Sequence, residues 1–426
     1  MKKLNKVTSL KGIVSVPGDK SISHRALMLG AIVNGTTRIT NLLNSADVNT
    51  TRAILTNLGV TITERGNITE VVGAGVSNLH DPGIVLDMGN SGTSTRLLTG
   101  LIAGADLDAQ IIGDDSLSRR PMDRVIDPLN NVGANITSNN GKLPMIIHRS
   151  QLNNKIDFEL PVGSAQVKSA VLLAGITSGS KTTVVDKFRT RNHTEIMLQQ
   201  FGAEVKVDGA KISVPADQHL SAADVLVPGD ISSAAFWIVA GLLVKGSNLT
   251  IKNVGINPTR SGIINILRQM DAKIDIKQTS IDGETIADIT PRFSKLQALN
   301  IYGEIIPTCI DEIPIIVLAA TQATGRTIIR GAAELKLKES DRILTVTSEL
   351  KKLGAQIKAT DDGFIIDGPA QLTANKTHVS GHKDHRIAMM LAIASLITDG
   401  EVILDDDDSV GISYPTFFTE LGKLSV

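Results

Sequence analysis

Apolar and polar positions along the chain repeat on a long period. Short runs rich in β-branched and apolar residues begin near Ile13 (IVSVPGDKS), Ile84 (IVLDMGNSG), Ile156 (IDFELPVGSAQ), Val225 (VLVPGDISS), Leu299 (LNIYGEIIPTCIDE) and His378 (HVSGHKDHR), at spacings of 69 to 79 residues. An apolar stretch of helical length follows, as at His24 to Val33, Ser94 to Ala103, Gln166 to Ile176 and Ala234 to Val244, and leads to Gly and a Thr-rich or β-branched run such as NGTTRITN, SGSKTTVV, KGSNLTIK or TGRTIIRG. Five of the six then carry a second amphipathic segment that closes on NLGVTI, NVGANI, QFGAEVKV, QMDAKIDI or KLGAQIKA. The glycine there suits a left-handed helix terminus, with a strand directly after it. The pattern predicts a βαβαββ unit repeated six times over nearly all of the 426 residues. A unit of that size is too small to bury a core alone, so an α/β chain of two domains with three units each is expected.

Composition narrows the class. Lys plus Arg number 43 against 44 Asp plus Glu, and only 11 residues are aromatic, which argues against nucleic acid as a partner. The longest strongly apolar run, Ala234 to Val244, ends at Lys245, well short of the roughly 20 residues that span a bilayer. No membrane partner is expected. MKKLNK at the start lacks the apolar stretch of a signal peptide, and the single cysteine, Cys309, permits no internal disulfide and no multi-cysteine metal site. A cytoplasmic protein stabilised by packing is expected.

Polar clusters recur where the first strand of each unit gives way to its helix: Asp19 to Arg25, Gly89 to Arg96, Gly163 to Gln166, Gly229 to Ser233, Asp311-Glu312 and Lys383 to Arg386. Helix starts attract anions, so several of them converging on one cleft would bind a polyanionic small molecule. Taken singly, each cluster is better read as an ordinary N-cap. GNSGT is no Walker A loop and no GxGxxG follows the first strand. Arg25, Arg120, Arg342 and Arg386 add forked donors suited to carboxylate and phosphate, and Lys20 and Lys338 add point charges. Lys338-Glu339-Ser340-Asp341-Arg342 opens a helix whose expected apolar face is Ile343, Leu344, Val346 and Leu350; a lysine beside a carboxylate suits proton transfer.

In chain order DKSISHRAL, GNSGTSTR, SRRPM, GSAQVKSA, IDEIP, LKLKESDR and KDHRIAM closely resemble the EPSP synthase family of enolpyruvyl transferases, from about Val14 to Leu421. The resemblance implies a two-domain inside-out α/β barrel, with residues 18–226 as one domain and 1–17 plus 227–426 as the other. It implies transfer of the enolpyruvyl group of phosphoenolpyruvate to the 5-hydroxyl of shikimate 3-phosphate by a monomer, without metal or cofactor. It also implies that Lys20, Ser21, Arg25, Ser164, Ala165, Gln166, Arg191, Asp311 and Lys338 hold shikimate 3-phosphate. Lys20, Asn90, Gly92, Arg120, Gln166, Glu339, Arg342, His385 and Arg386 would serve phosphoenolpyruvate, with Asp311, Glu339 and Lys20 as the acid/base groups. Two like domains joined by acidic substrates imply closure on shikimate 3-phosphate, and Gly92 falls where the family's inhibitor glyphosate meets the backbone.

Two alternatives are weighed. UDP-N-acetylglucosamine enolpyruvyl transferase characteristically uses a loop cysteine, whereas Gly113 to Pro121 reads GDDSLSRRP and Cys309 looks like a packed small hydrophobe. A non-catalytic anion-binding protein would not need Asp311 and Glu339 beside phosphates. Asp405 to Asp408 reads as a solvated turn.

Overall fold

A computed structural model describes every residue except 281 and 282. The chain forms two compact units, Gly18–Val227 and the discontinuous Met1–Pro17 with Pro228–Val426. Five repeats show the expected strand, helix, strand, helix, strand, strand order. The sixth does not: after Thr377–Val379, His385–Ser395 and Val402–Leu404 it ends in the helix Phe417–Leu424 with no closing strand pair, and Lys2–Leu4 pairs antiparallel with Val402–Leu404 instead. The closing helices end where expected. Gly59, Gly133, Gly202 and Gly354 have φ of 90° to 105°, and Asp271 takes the place of glycine at φ 64°.

Each four-stranded sheet places a first strand parallel to a repeat's second strand, with that repeat's last two strands antiparallel beyond it. Two first strands are exchanged between repeats, each pairing staying within one compact unit. Lys11–Ser15 pairs parallel with Asn248–Lys252, and Asp224–Leu226 pairs parallel with Arg38–Thr40. The helix that follows a first strand is apolar on every side, as in Ile313–Thr321, all nine of whose residues are buried. Such a helix is stable only when covered all round, so these helices fill the core. The strands alternate around them: in Lys142–His148, Leu143, Met145 and Ile147 are buried while Lys142, Pro144 and Ile146 face out. Where Leu299 and the residues after it were expected to run as an extended strand, Asn300–Ile301 is brief and gives way to 3-10 turns at Gly303–Thr308 and Ile310–Glu312.

Glycine allows one close approach that matters for function. A Cβ on Gly100 would lie 2.1 Å from the Ala170 carbonyl oxygen, and one on Gly104 would lie 2.3 Å from that of Ala174. The helices Gly92–Gly104 and Ala165–Ser178 therefore run side by side in register, and their N-terminal ends meet. In the helix Arg342–Lys352, Ile343, Val346 and Leu350 are buried as expected but Leu344 is 59% exposed. It falls off the stripe because a helix turns 100° per residue.

Glu349 on that helix is buried and accepts from Lys352 Nζ, from the Ser380 N–H and from His382 Nε2. Burial alone would raise its pKa, but these donors hold it below its usual 4.5. A carboxyl depressed in the folded state contributes stability above its unfolded value and loses it as the pH falls through its folded value. Glu349→Gln is therefore expected to lower Tm at pH 7 by about 2–4 °C per kcal/mol of lost interaction. Thermal melts from pH 7 to pH 3 check this: the gap to the parent protein should close at the acid end, and a constant gap would contradict the assignment.

Candidate active site

In the unit Gly18–Val227 three helices begin at the predicted junctions, and the capping role holds for each. Asp19 accepts from the Ile22 N–H at 2.9 Å, Ser91 from Ser94 at 3.2 Å and Ser164 from Val167 at 3.3 Å. A cap satisfies one of the four unpaired N–H groups at such an end, so the end keeps its attraction for anions. Lys20 Nζ lies 3.1 Å from Asp47 Oδ2. Arg25 is 3% exposed; its NH1 donates to the Ser21 carbonyl, its Nε to Thr194 Oγ1 and its NH2 to Ser169 Oγ, at 2.7–2.9 Å. His24 beside it is fully buried against Thr51 Oγ1. Burial pushes its pKa down to about 3, with Lys20 and Arg25 adding to the shift against the pull of Asp47, so the ring is neutral at physiological pH.

The paired starts of the Gly92 and Ala165 helices carry a second set. Arg120 NH2 donates to Asn90 Oδ1 at 2.8 Å, and Asn90 Nδ2 donates to Asp114. Gln166 accepts from Arg96 NH1 at 2.7 Å and donates to Thr93 Oγ1 at 3.0 Å. A Cβ on Gly92 would stand 3.2 Å from Arg96 NH1 and 3.4 Å from Arg120 NH1. Sequence reasoning gave Arg96 no role, although it lies four residues after Gly92 on the same helix. One turn of spacing was the signal for it. Ala165 is the first residue of its helix, and Arg191 is half-buried in the turn before the helix His193–Gln200.

In the discontinuous unit, charged groups from three segments meet. Asp311, in a 3-10 turn, accepts on Oδ1 from Lys338 Nζ at 3.2 Å and lies 3.5 Å from Arg342 NH1. Arg342 is 1% exposed and also donates to Glu339 Oε2 at 2.7 Å and to both oxygens of Asp384 at 2.8 and 3.2 Å. Burial alone would lower the Arg342 pKa, but Glu339, Asp384 and Asp311 more than reverse this and lock it in the charged form. Asp384, wholly buried, also caps the helix His385–Ser395 through the Arg386 N–H. Arg386 NH1 donates to the Asp311 carbonyl at 3.2 Å, and His385 is buried at the same helix start.

Asp311, Lys338, Glu339, Arg342 and Arg386 thus form one cluster built on two guanidinium groups. Cys309 is packed beneath it, and burial pushes its thiol pKa far up, so it is no nucleophile at neutral pH. The acidic run lies at the surface as the sequence suggested, with Asp405 and Asp408 exposed; Asp405 pairs with His378, Asp406 accepts from the Lys383 N–H, and Asp407 takes the N-terminal ammonium. No helix among the described residues is long and apolar enough to cross a membrane.

The family model for EPSP synthase (3-phosphoshikimate 1-carboxyvinyltransferase) matches residues 4–421. The 3-phosphoshikimate 1-carboxyvinyltransferase of Geobacillus kaustophilus is 50% identical over 421 residues, covering 98% of each chain. The protein of the same name from Leuconostoc citreum is 51% identical over 97% of each. The solved EPSP synthase of Acinetobacter baumannii superposes with a TM-score of 0.90 at 39% identity, covering 100% of this chain and 98% of that one. A family match running almost end to end agrees with the repeated α/β architecture, and the chain belongs to the EPSP synthase family.

Proposed function

We propose that the chain transfers the enolpyruvyl group of phosphoenolpyruvate to the 5-hydroxyl of shikimate 3-phosphate, releasing phosphate. The observation that carries this reading is the Asp311 cluster, in which a carboxylate faces Lys338 and Arg342 while Glu339 stands on the same guanidinium. Pure anion binding gains nothing from two carboxylates among its cations, whereas proton transfer requires them.

In this reading Asp311 takes the proton of the 5-hydroxyl as its oxygen attacks C2 of phosphoenolpyruvate, and the methylene carbon gains a proton. The tetrahedral intermediate then loses phosphate as a proton leaves the new methyl group and the double bond re-forms. Glu339 and Lys20 serve these transfers, Lys20 toward the departing phosphate. Arg342 and Arg386 bind the phosphoenolpyruvate carboxylate, and a carboxylate that reaches Arg342 competes with Glu339 for NH2, freeing Glu339 to exchange protons. Asn90, Gly92, Arg120 and Gln166 hold the remainder of phosphoenolpyruvate. Ser21, Arg25, Ser164, Ala165, Gln166, Arg191 and Lys338 hold shikimate 3-phosphate. His385 shapes the floor near Arg386.

A phosphate-release assay with both purified substrates tests the reaction. Release is expected with shikimate 3-phosphate and not with UDP-N-acetylglucosamine; no release from the first pair would overturn it.

Gly92→Ala places a methyl against Arg96 and Arg120 and should cost about 1–3 kcal/mol for any ligand that fills that space. We expect the inhibition constant of glyphosate, the longer molecule, to rise about tenfold or more, and the KM for phosphoenolpyruvate to rise less. Inhibition kinetics decide: equal losses would remove the steric explanation.

A further inference from the structure

Lys168 is the third residue after Ala165 on the helix Ala165–Ser178, and it is 1% exposed. Its ammonium lies 2.9 Å from Asp186 Oδ2 and 2.7 Å from Glu195 Oε1, and donates to the Thr190 carbonyl at 3.2 Å. Both carboxylates are buried as well. Asp186 gathers the turn that follows its strand: it accepts from the Phe188 N–H at 3.1 Å, from the Thr190 N–H at 2.9 Å and from the Thr190 hydroxyl at 2.6 Å. Glu195 belongs to the helix His193–Gln200, where its neighbour Thr194 bonds both Ser169 Oγ and the Arg25 guanidinium.

Three buried charges are expensive to desolvate, and an apolar side chain would fill the same space at lower cost. What a methionine could not do is fix the helix, the turn and the next helix relative to one another through directed bonds. The two side chains this arrangement frames are Arg191, in the turn, and Arg25, held by Thr194.

We propose that Lys168 is a positioning residue for shikimate 3-phosphate: by gripping Asp186, the Thr190 carbonyl and Glu195 together, it sets the 188–192 turn so that Arg191 meets the substrate, and sets Thr194 so that Arg25 does. This role rests on the substrate assignment proposed above. It touches neither the reacting atoms nor the phosphoenolpyruvate groups, so it predicts a one-sided effect.

The test is a double-mutant cycle of Lys168→Met with Arg191→Ala, read as kcat and as KM for each substrate alongside Tm. Lys168→Met is expected to raise the KM for shikimate 3-phosphate about tenfold or more while the KM for phosphoenolpyruvate and kcat stay within about threefold. The double variant should be little worse than Lys168→Met alone, since that substitution already displaces Arg191. Equal rises in both KM values, or simple additivity with Arg191→Ala, would overturn the role as merely structural. If Lys168→Met does not fold, Thr190→Val decides by the same criteria, since it keeps all three charges and removes only the hydroxyl donor to Asp186. Parent protein that releases no phosphate from the two substrates would overturn the reaction itself. An active parent with an unaltered variant would overturn the positioning role alone.

Discussion

Asp311→Asn should lower kcat about 10²- to 10⁴-fold, the range that a positioned general base contributes. Asparagine keeps the size of the side chain and an oxygen for Lys338 at 3.2 Å, so the cluster should remain assembled. It cannot take up a proton at neutral pH. Steady-state kinetics with circular dichroism and melting curves distinguish lost chemistry from lost fold. A variant with near-normal kcat would show that the base lies elsewhere, and Glu339 would be the next group to replace.

The second large effect concerns Arg342. Its Nε and NH2 bracket Asp384, NH2 also reaches Glu339, and NH1 faces Asp311, so one planar fork serves three carboxylates. A lysine carries the charge but not the fork. Arg342→Lys is expected to raise the KM for phosphoenolpyruvate about tenfold to a hundredfold, one or two steps of 1.4 kcal/mol, with a modest fall in Tm. Arg342→Met should do more damage, because Asp384 has no exposure and would become an unpaired buried charge, a loss of about 3–5 kcal/mol. Calorimetric melting of both variants checks the ordering. A methionine variant as stable as the lysine one would show that Asp384 is compensated by other groups, Ser340 first among them.

Much of this arrangement was legible in the chain because the repeat is written in local signals. The helix starts, their caps and the glycines that end the second helices are set by neighbours in sequence, so the unit could be read without knowing its surroundings. The cluster at Lys338 to Arg342 was visible for the same reason. What could not be read was partnership over distance. Arg342 and Asp384 stand 42 residues apart, and Arg25 and Ser169 stand 144 apart. Nothing within either stretch marks the match. Nothing beside Lys168 in the sequence marks its match to Asp186, 18 residues on. The sixth repeat was misread because its closing strand comes from the opposite end of the chain. Leu344 was misassigned by counting apolar residues without respecting the helical angle.

That returning strand has a consequence for biosynthesis. Lys2–Leu4 finds its partner only when Val402–Leu404 has been made, and Lys11–Ser15 only when Asn248–Lys252 has. At about 5–20 residues per second on the ribosome, the first of these segments waits roughly 20–80 s with its backbone groups unmet. Lys2, Lys3, Lys6 and Lys11 crowd this leading stretch, and like charges of that kind discourage an idle edge from pairing with another nascent chain.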